Sequence, residues 1–472
     1  MRATMLFFLG FFLVSFAMLG QNKQVLYDFV EIPQAAMVNP GVLTDFQWYG
    51  GITALSGIYV QAGSSGISVN DIFANDGLDI NDKIRDRAIA AMITRDEINS
   101  TFQLELLNFG FRGRNPDNFY TAGIYIEGDV ITYWPQDLAI LAYEGNVDRL
   151  NQRFDLGDLK TRGEMVNVFH FGLNKKVNNG LTVGFRGKLY SSMLDFNSTK
   201  NKGFFVTREG QNNSFENTLN ADMRSRSSGF NEITDAADDG TLPSALTKRA
   251  FFGGNLGLGI DLGFTYQLNE QTILTGSLLD LGFIYHKNDT FNYTLKGNTT
   301  AEGIEAILPD EISNPDTDFW EDFIDEIPLE EDQKNYVAFA PTKLYASIRY
   351  NFGEPLDTRV NCECGLNGFS NSLRSKYTNS LGGQLFMINR PRGPQAALTA
   401  FYQRRFGNFM AIKAAYTVDK FSYTNLGLGL NLQTGPVNIY VMADNLLAYR
   451  NIAASHYASF QLGLNIISWG KK

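Results

Sequence analysis

The stretch NLGLGIDLGFTY, Asn255 to Tyr266, alternates apolar and non-apolar residues without a break. Leu256, Leu258, Ile260, Leu262, Phe264 and Tyr266 fall on one face of an extended chain, and Asn255, Gly257, Gly259, Asp261, Gly263 and Thr265 on the other. The run is about twice the length of an ordinary soluble strand, which is about five or six residues. A membrane-spanning barrel strand needs this pattern, because lipid demands apolar side chains while a lumen accepts polar ones. A soluble β-sandwich would also alternate, but in shorter strands with turns of more even length.

The same period returns in LTVGFRGKLY (181–190), KLYASIRYNF (343–352), TNLGLGLNLQ (424–433) and SFQLGLNIIS (459–468). About fourteen such strands are expected, beginning near residues 46, 100, 118, 165, 181, 256, 272, 341, 378, 395, 409, 423, 437 and 456. An even number closes an antiparallel barrel with both ends on one side. Short turns at RNPDN (114–118), VNNG (177–180), NEQ (269–271), GN (407–408) and TGP (434–436) alternate with long connections near 63–99, 130–164, 192–254 and 287–340. Bacterial barrels show this asymmetry, with short periplasmic turns and long extracellular loops. The segment 353–377 breaks the rule by being long on the short side. The expected class is therefore all-β, a closed antiparallel transmembrane β-barrel of about fourteen strands.

Composition agrees. The 472 residues are 19% charged and 13% aromatic and include 45 glycines. A net charge of -10 and a pI near 5.0 argue against a nucleic-acid partner, which would need a basic surface. The start, MRATMLFFLGFFLVSFAMLGQNKQ, has one Arg, then an apolar run from Met5 to Leu19. It reads as a secretory signal peptide over residues 1–20, cleaved between about Ala17 and Gln21. An uncleaved membrane helix is the competing reading of a run that is short for a span. Cys362 and Cys364 are too close for an ordinary disulfide and are expected as free thiols.

Two stretches depart from the strand pattern. DINDKIRDRAIAAMI, in the first long connection, puts Ile84, Ala88 and Met92 on one helical face. DTDFWEDFIDEIPLEED (316–332) reads as a solvated acidic helix rather than a cation site, because it lacks the spacing and glycine of a calcium loop. His170, His286 and His456 stand in no zinc or nucleophile motif, and no catalytic residue, cofactor or metal ligand is expected. The inward faces say more. Arg186, Lys188, Asp261, Asp280, Lys343 and Arg349 are expected to point into the lumen, as paired charges that either stiffen the barrel or line a path. Inward glycines would let a plug pack closely against the wall. Trp48 and Tyr49 are expected at the membrane interface, as is Trp469 on the closing strand.

The turn Asn39-Pro40-Gly41, just before the first strand, resembles the Asn-Pro-Ala element in the N-terminal hatch of FadL-type long-chain fatty-acid transporters, which are fourteen-stranded barrels. The third residue differs; Pro40 would fix one backbone angle and Gly41 would allow an unusual one. More of the chain, including LELLNFGFRGRNPDNFYTAGIY, YWPQDLAILAYEGN, SLLDLGFIYHKND and GLGLNLQTGPVNIYVMADNLL, is similar to an uncharacterised family of Bacteroidota outer-membrane proteins related to FadL-like and PorV-like barrels. The resemblance implies a signal peptide at 1–20, a hatch at 21–45 and an outer-membrane barrel at 46–472. It implies a location in the cell outer membrane, in contact with its lipid, and one of two roles. The first is passage of a small hydrophobic molecule through a hatch-gated lumen. The alternative is a non-transporting barrel that serves envelope proteins of the secretion or surface machinery as partner or scaffold.

Overall fold

The computed structural model describes residues 23–210, 215–302, 329–355, 377–421 and 425–469. The expected signal peptide, both cysteines and most of the acidic stretch lie outside the described residues.

Fourteen strands form the wall. They are β1 (Phe46–Gly51, resuming at Ile58–Ser64), β2 (Glu97–Arg112), β3 (Asn118–Tyr133), β4 (Thr161–Lys176) and β5 (Leu181–Lys200). Next come β6 (Asn255–Gln267), β7 (Thr272–His286), β8 (Lys343–Pro355), β9 (Tyr377–Arg390) and β10 (Gly393–Phe406). The last are β11 (Met410–Val418), β12 (Asn425–Thr434), β13 (Val437–Ala443) and β14 (Tyr457–Trp469). Neighbours in sequence pair antiparallel, and β1 closes the cylinder on β14, with Tyr49 opposite Ile467 and Tyr59 opposite Gln461. Every expected strand is present; the largest displacement is at β4, which begins at Thr161 rather than near 165.

Because side chains alternate across a strand, register decides what each face meets. Leu258, Phe171 and Ile348 are exposed on the outside at 58%, 56% and 51%, while their neighbours Gly259, His170 and Arg349 face inward. An apolar surface that encircles a protein is far larger than water tolerates, and it identifies the lipid-facing band. Leu258→Arg is expected to cost about 2–4 kcal/mol of barrel stability, against about 0–1 kcal/mol for Leu268→Arg in the β6–β7 turn. Denaturant unfolding in lipid vesicles measures both.

Trp48 and Phe111, opposite each other in β1 and β2, and Tyr266 and Tyr350 are exposed aromatics at the short-turn end. They suit a membrane boundary. Tyr49 does not belong there. It is buried inside and donates its hydroxyl to Asn108 Oδ1 at 3.2 Å, because adjacent strand residues cannot share a face.

The far end corrects another expectation. The connections near 192–254 and 287–340 are not merely loops. β5 runs on to Lys200, and Gly203–Glu209, Phe215–Ser228, Thr290–Glu302 and Leu329–Asp332 build a ribbon above the wall. Helices Phe230–Asp238 and Leu242–Lys248 follow the second of these strands. The helix expected in the first long connection is present as Ile80–Lys83 and a π-helical turn, Ile84–Ile89, with Ala88 and Met92 buried and Ile84 half-buried.

Candidate functional site: the lumen and its inserted segment

Residues 23–45 pack inside the barrel. Val25, Leu26, Tyr27, Phe29 and Ile32 form one apolar cluster with Tyr345, Phe386, Phe401 and Tyr440 of the wall, and Tyr27 stacks on Tyr345 at 4.7 Å. Around this core, the wall holds the segment largely by its main-chain carbonyls. Arg349 donates to Asp28 O at 2.9 Å, Lys413 to Tyr27 O, Ser277 to Val38 O at 2.6 Å and Gln384 to Gln24 O at 3.2 Å. Gln34 reaches Asn465 Oδ1 at 2.9 Å, and Val25 N donates to Asp444 Oδ1 at 2.9 Å, so contacts span nearly the whole wall. Carbonyls buried away from water need such donors.

Asn39-Pro40-Gly41 occupies a fitted seat on β4, β5 and β6. Val42 N donates to Asn39 O at 3.0 Å, closing a turn with Pro40 in its second place. Asn174 donates to Pro40 O at 2.8 Å and Val42 O at 2.7 Å, Thr265 to Gly41 O at 2.8 Å, and Asn39 Nδ2 to Phe264 O at 3.2 Å. A Cβ on Gly184 would lie 2.0 Å from the Pro40 carbonyl carbon, and one on Gly263 would lie 2.2 Å from Asn39 Oδ1. The two wall glycines are there for space. Gly41 is also a matter of space: its φ is not in the left-handed region, contrary to expectation, but a Cβ on it would meet Gly263 O at 2.5 Å.

The six charged candidates are all buried. Five join one network. Arg186 Nε contacts Asp261 Oδ2 at 2.7 Å, and Lys188 contacts Asp261 at 2.9 Å and Asp280 at 2.5 Å. Lys343 bridges Asp280 at 3.1 Å and Glu127 at 2.8 Å. Three cations thus face three carboxylates, which offsets the desolvation of each. The strand is distorted to complete it. Opposite Asp261, β7 carries an extra residue, so Ile260 pairs with Leu281 but Leu262 with Leu278. In this bulge Asp280 takes a φ of 60° and its freed N–H donates to Asp261 Oδ1 at 2.7 Å. Arg186 links network to segment, donating to Ala36 O at 3.1 Å and Met37 O at 2.6 Å. Arg349 stands apart, on Asp28.

Sequence reasoning missed Glu127 and the ion pair of Asp129 with Arg390. Their signal was parity: Tyr125, Glu127 and Asp129 share the inward face of β3. On the outer wall, Phe109, Phe171, Phe185 and Leu258 frame an apolar groove of about 830 Å³ that reaches Gly187 and Lys188.

A closed fourteen-stranded barrel, apolar outside and polar within, is a transmembrane β-barrel. The chain belongs to a family of unknown function, DUF5723, whose model matches residues 40–444. No curated protein matches it. Among solved structures it is similar to the Ralstonia pickettii toluene transporter TbuX, at 12% identity over 97% of each chain with a TM-score of 0.41. A Pseudomonas aeruginosa FadL homologue is 10% identical over 94% of this chain and 95% of that one, with a TM-score of 0.41. The P. putida toluene transporter TodX is 10% identical over 95% and 93%, with a TM-score of 0.35.

Proposed function

We propose that this protein is an outer-membrane barrel that admits a small hydrophobic molecule, and that residues 23–45 are the hatch that closes its lumen. The observation that carries the reading is the way the segment is held. It packs inside the barrel, yet it is held to the wall through side chains such as Asn174, Ser277 and Arg349, and it contributes no strand to the wall's ladder. Such an element can move without unzipping the wall. Asn39, Pro40 and Gly41 form its seat, and Arg186, through Ala36 and Met37, its electrostatic tie. The lipid-facing groove beside Gly187 and Lys188 would offer such a molecule a lateral way through the wall. No covalent chemistry is required. Export by a signal peptide over 1–20 would deliver the chain to the outer membrane.

A second reading, a scaffold for envelope proteins, draws on the outer ribbon of Phe215–Ser228 and Thr290–Glu302. One experiment separates the two. Deleting residues 23–45 behind an intact signal peptide is expected to raise uptake of a small aromatic hydrocarbon several-fold, with heat-modifiable gel mobility confirming an assembled barrel. Unchanged uptake by an assembled barrel would leave the scaffold.

A further inference from the structure

The connection between β13 and β14 is unlike the other long ones. β13 is short: it pairs with β14 only from Val437 opposite Ile466 to Met442 opposite Gln461. The bare upper edge of β14 is covered instead by residues 445–456, with Asn445 Nδ2 donating to Tyr457 O at 3.0 Å and Tyr449 Oη to Ser459 O at 2.7 Å. The loop therefore sits on the wall itself, above the lipid-facing Val441 and Phe460.

Its side chains divide by chemistry. Leu446, Leu447, Tyr449 and Ile452 are exposed at 40%, 56%, 41% and 57%. Beside them the loop curls around a pocket of about 520 Å³ lined by Asn445, Arg450, Asn451, Ser455 and His456. Arg450 has no hydrogen-bond or ion-pair partner among the described residues. Asn445 is 5% exposed, and with its amide nitrogen committed to Tyr457 O its Oδ1 is buried without a partner. The nearby carboxylate of Asp71 is occupied by Ser68 N and Oγ, at 2.7 and 2.8 Å, and Asp444 by Val25 N and Ser459.

We infer that this pocket binds the phosphorylated sugar headgroup of an outer-leaflet glycolipid. The guanidinium of Arg450 supplies donors for a phosphate, and His456, whose Nδ1 donates to Ser64 O at 3.2 Å, adds one from Nε2 in its imidazolium form. Asn451 and Ser455, which also line the pocket, offer polar side chains to the sugar hydroxyls. Leu446, Leu447 and Ile452 lie where the acyl chains descend along the wall, so charge and apolar surface match the two halves of one amphiphile. The inference rests on the membrane-spanning fold and on the long connections facing outward. It does not depend on the hatch or on transport.

The test uses the full-length barrel in phosphatidylethanolamine nanodiscs doped with lipid A, with bound lipid counted by native mass spectrometry. Wild type is expected to retain lipid A, and R450Q and H456Q to weaken retention, R450Q by roughly tenfold, the size of one charge-assisted hydrogen bond. R114Q, an exposed charge in the β2–β3 turn at the opposite end, should match wild type. Dephosphorylated lipid A should bind wild type as weakly as lipid A binds R450Q. Equal retention by R450Q and wild type, or an equal loss in R114Q, would overturn the assignment. So would full displacement of lipid A by millimolar inorganic phosphate, which would make the pocket a site for the free anion.

Discussion

Gly184→Val is expected to unseat the N-terminal segment while leaving the wall closed. The added carbons would fall on the Pro40 carbonyl, with main chain on both sides of the clash, so neither side chain nor rotamer can relieve it. Overpacking of this kind costs about 1–3 kcal/mol, occasionally more. The cheapest relief is loss of the turn, together with both bonds from Asn174 and the one from Thr265. Uptake of a small aromatic hydrocarbon should approach that of the barrel lacking residues 23–45, and proteases should gain access to the segment. Gly383→Val, at a site with nothing within 4 Å, is the control and should do neither. Unaltered uptake and protease resistance in Gly184→Val would mean that the seat does not govern closure.

The second large effect is expected at the charge network. Arg186→Met removes a cation from Asp261, which is fully buried and would keep only Lys188 as a counter-charge. Breaking a buried pair by removing one partner costs about 3–5 kcal/mol, because the other is left without compensation. Two carbonyls of the segment, on Ala36 and Met37, lose their donor as well. The midpoint of heat-induced mobility change should fall markedly. Adding Asp261→Leu should restore part of it, since the orphaned carboxylate goes too, and the double-mutant cycle reports the coupling directly. A double variant no better than the single would show that Asp261 is compensated by Lys188 and the Asp280 N–H alone.

The wall was legible because lipid and lumen impose opposite demands on alternate residues, and Leu256 to Tyr266 records both. The ribbon above it was not. In Thr290–Glu302, TFNYTLKGNTTAE, the apolar alternation of Phe291, Tyr293 and Leu295 stops after three positions, too few to set the strand apart from loop sequence. The inward charges were legible as a face. Their connections were not, since linking Lys343 to Glu127 requires the chain to close across 216 positions. Asp280 shows the limit most clearly. Strict alternation would not supply a bulge there, and the bulge is what brings its carboxylate to Lys188 and Lys343 together. Gly184 and Gly263 could be recognised as inward glycines, but what they make room for is visible only once the turn at Pro40 is in place.

The hold on residues 23–45 also fixes a sequence of events. Gln34 meets Asn465 across 431 positions and Val25 meets Asp444 across 419. Loops of that length cannot close early, and their partners do not exist as a surface until the last strand has met the first. The segment that precedes the wall in sequence is therefore the last to find its place. Until then Leu26, Phe29 and Ile32 have no wall to bury them, and their shelter is assembled only when the last strand arrives.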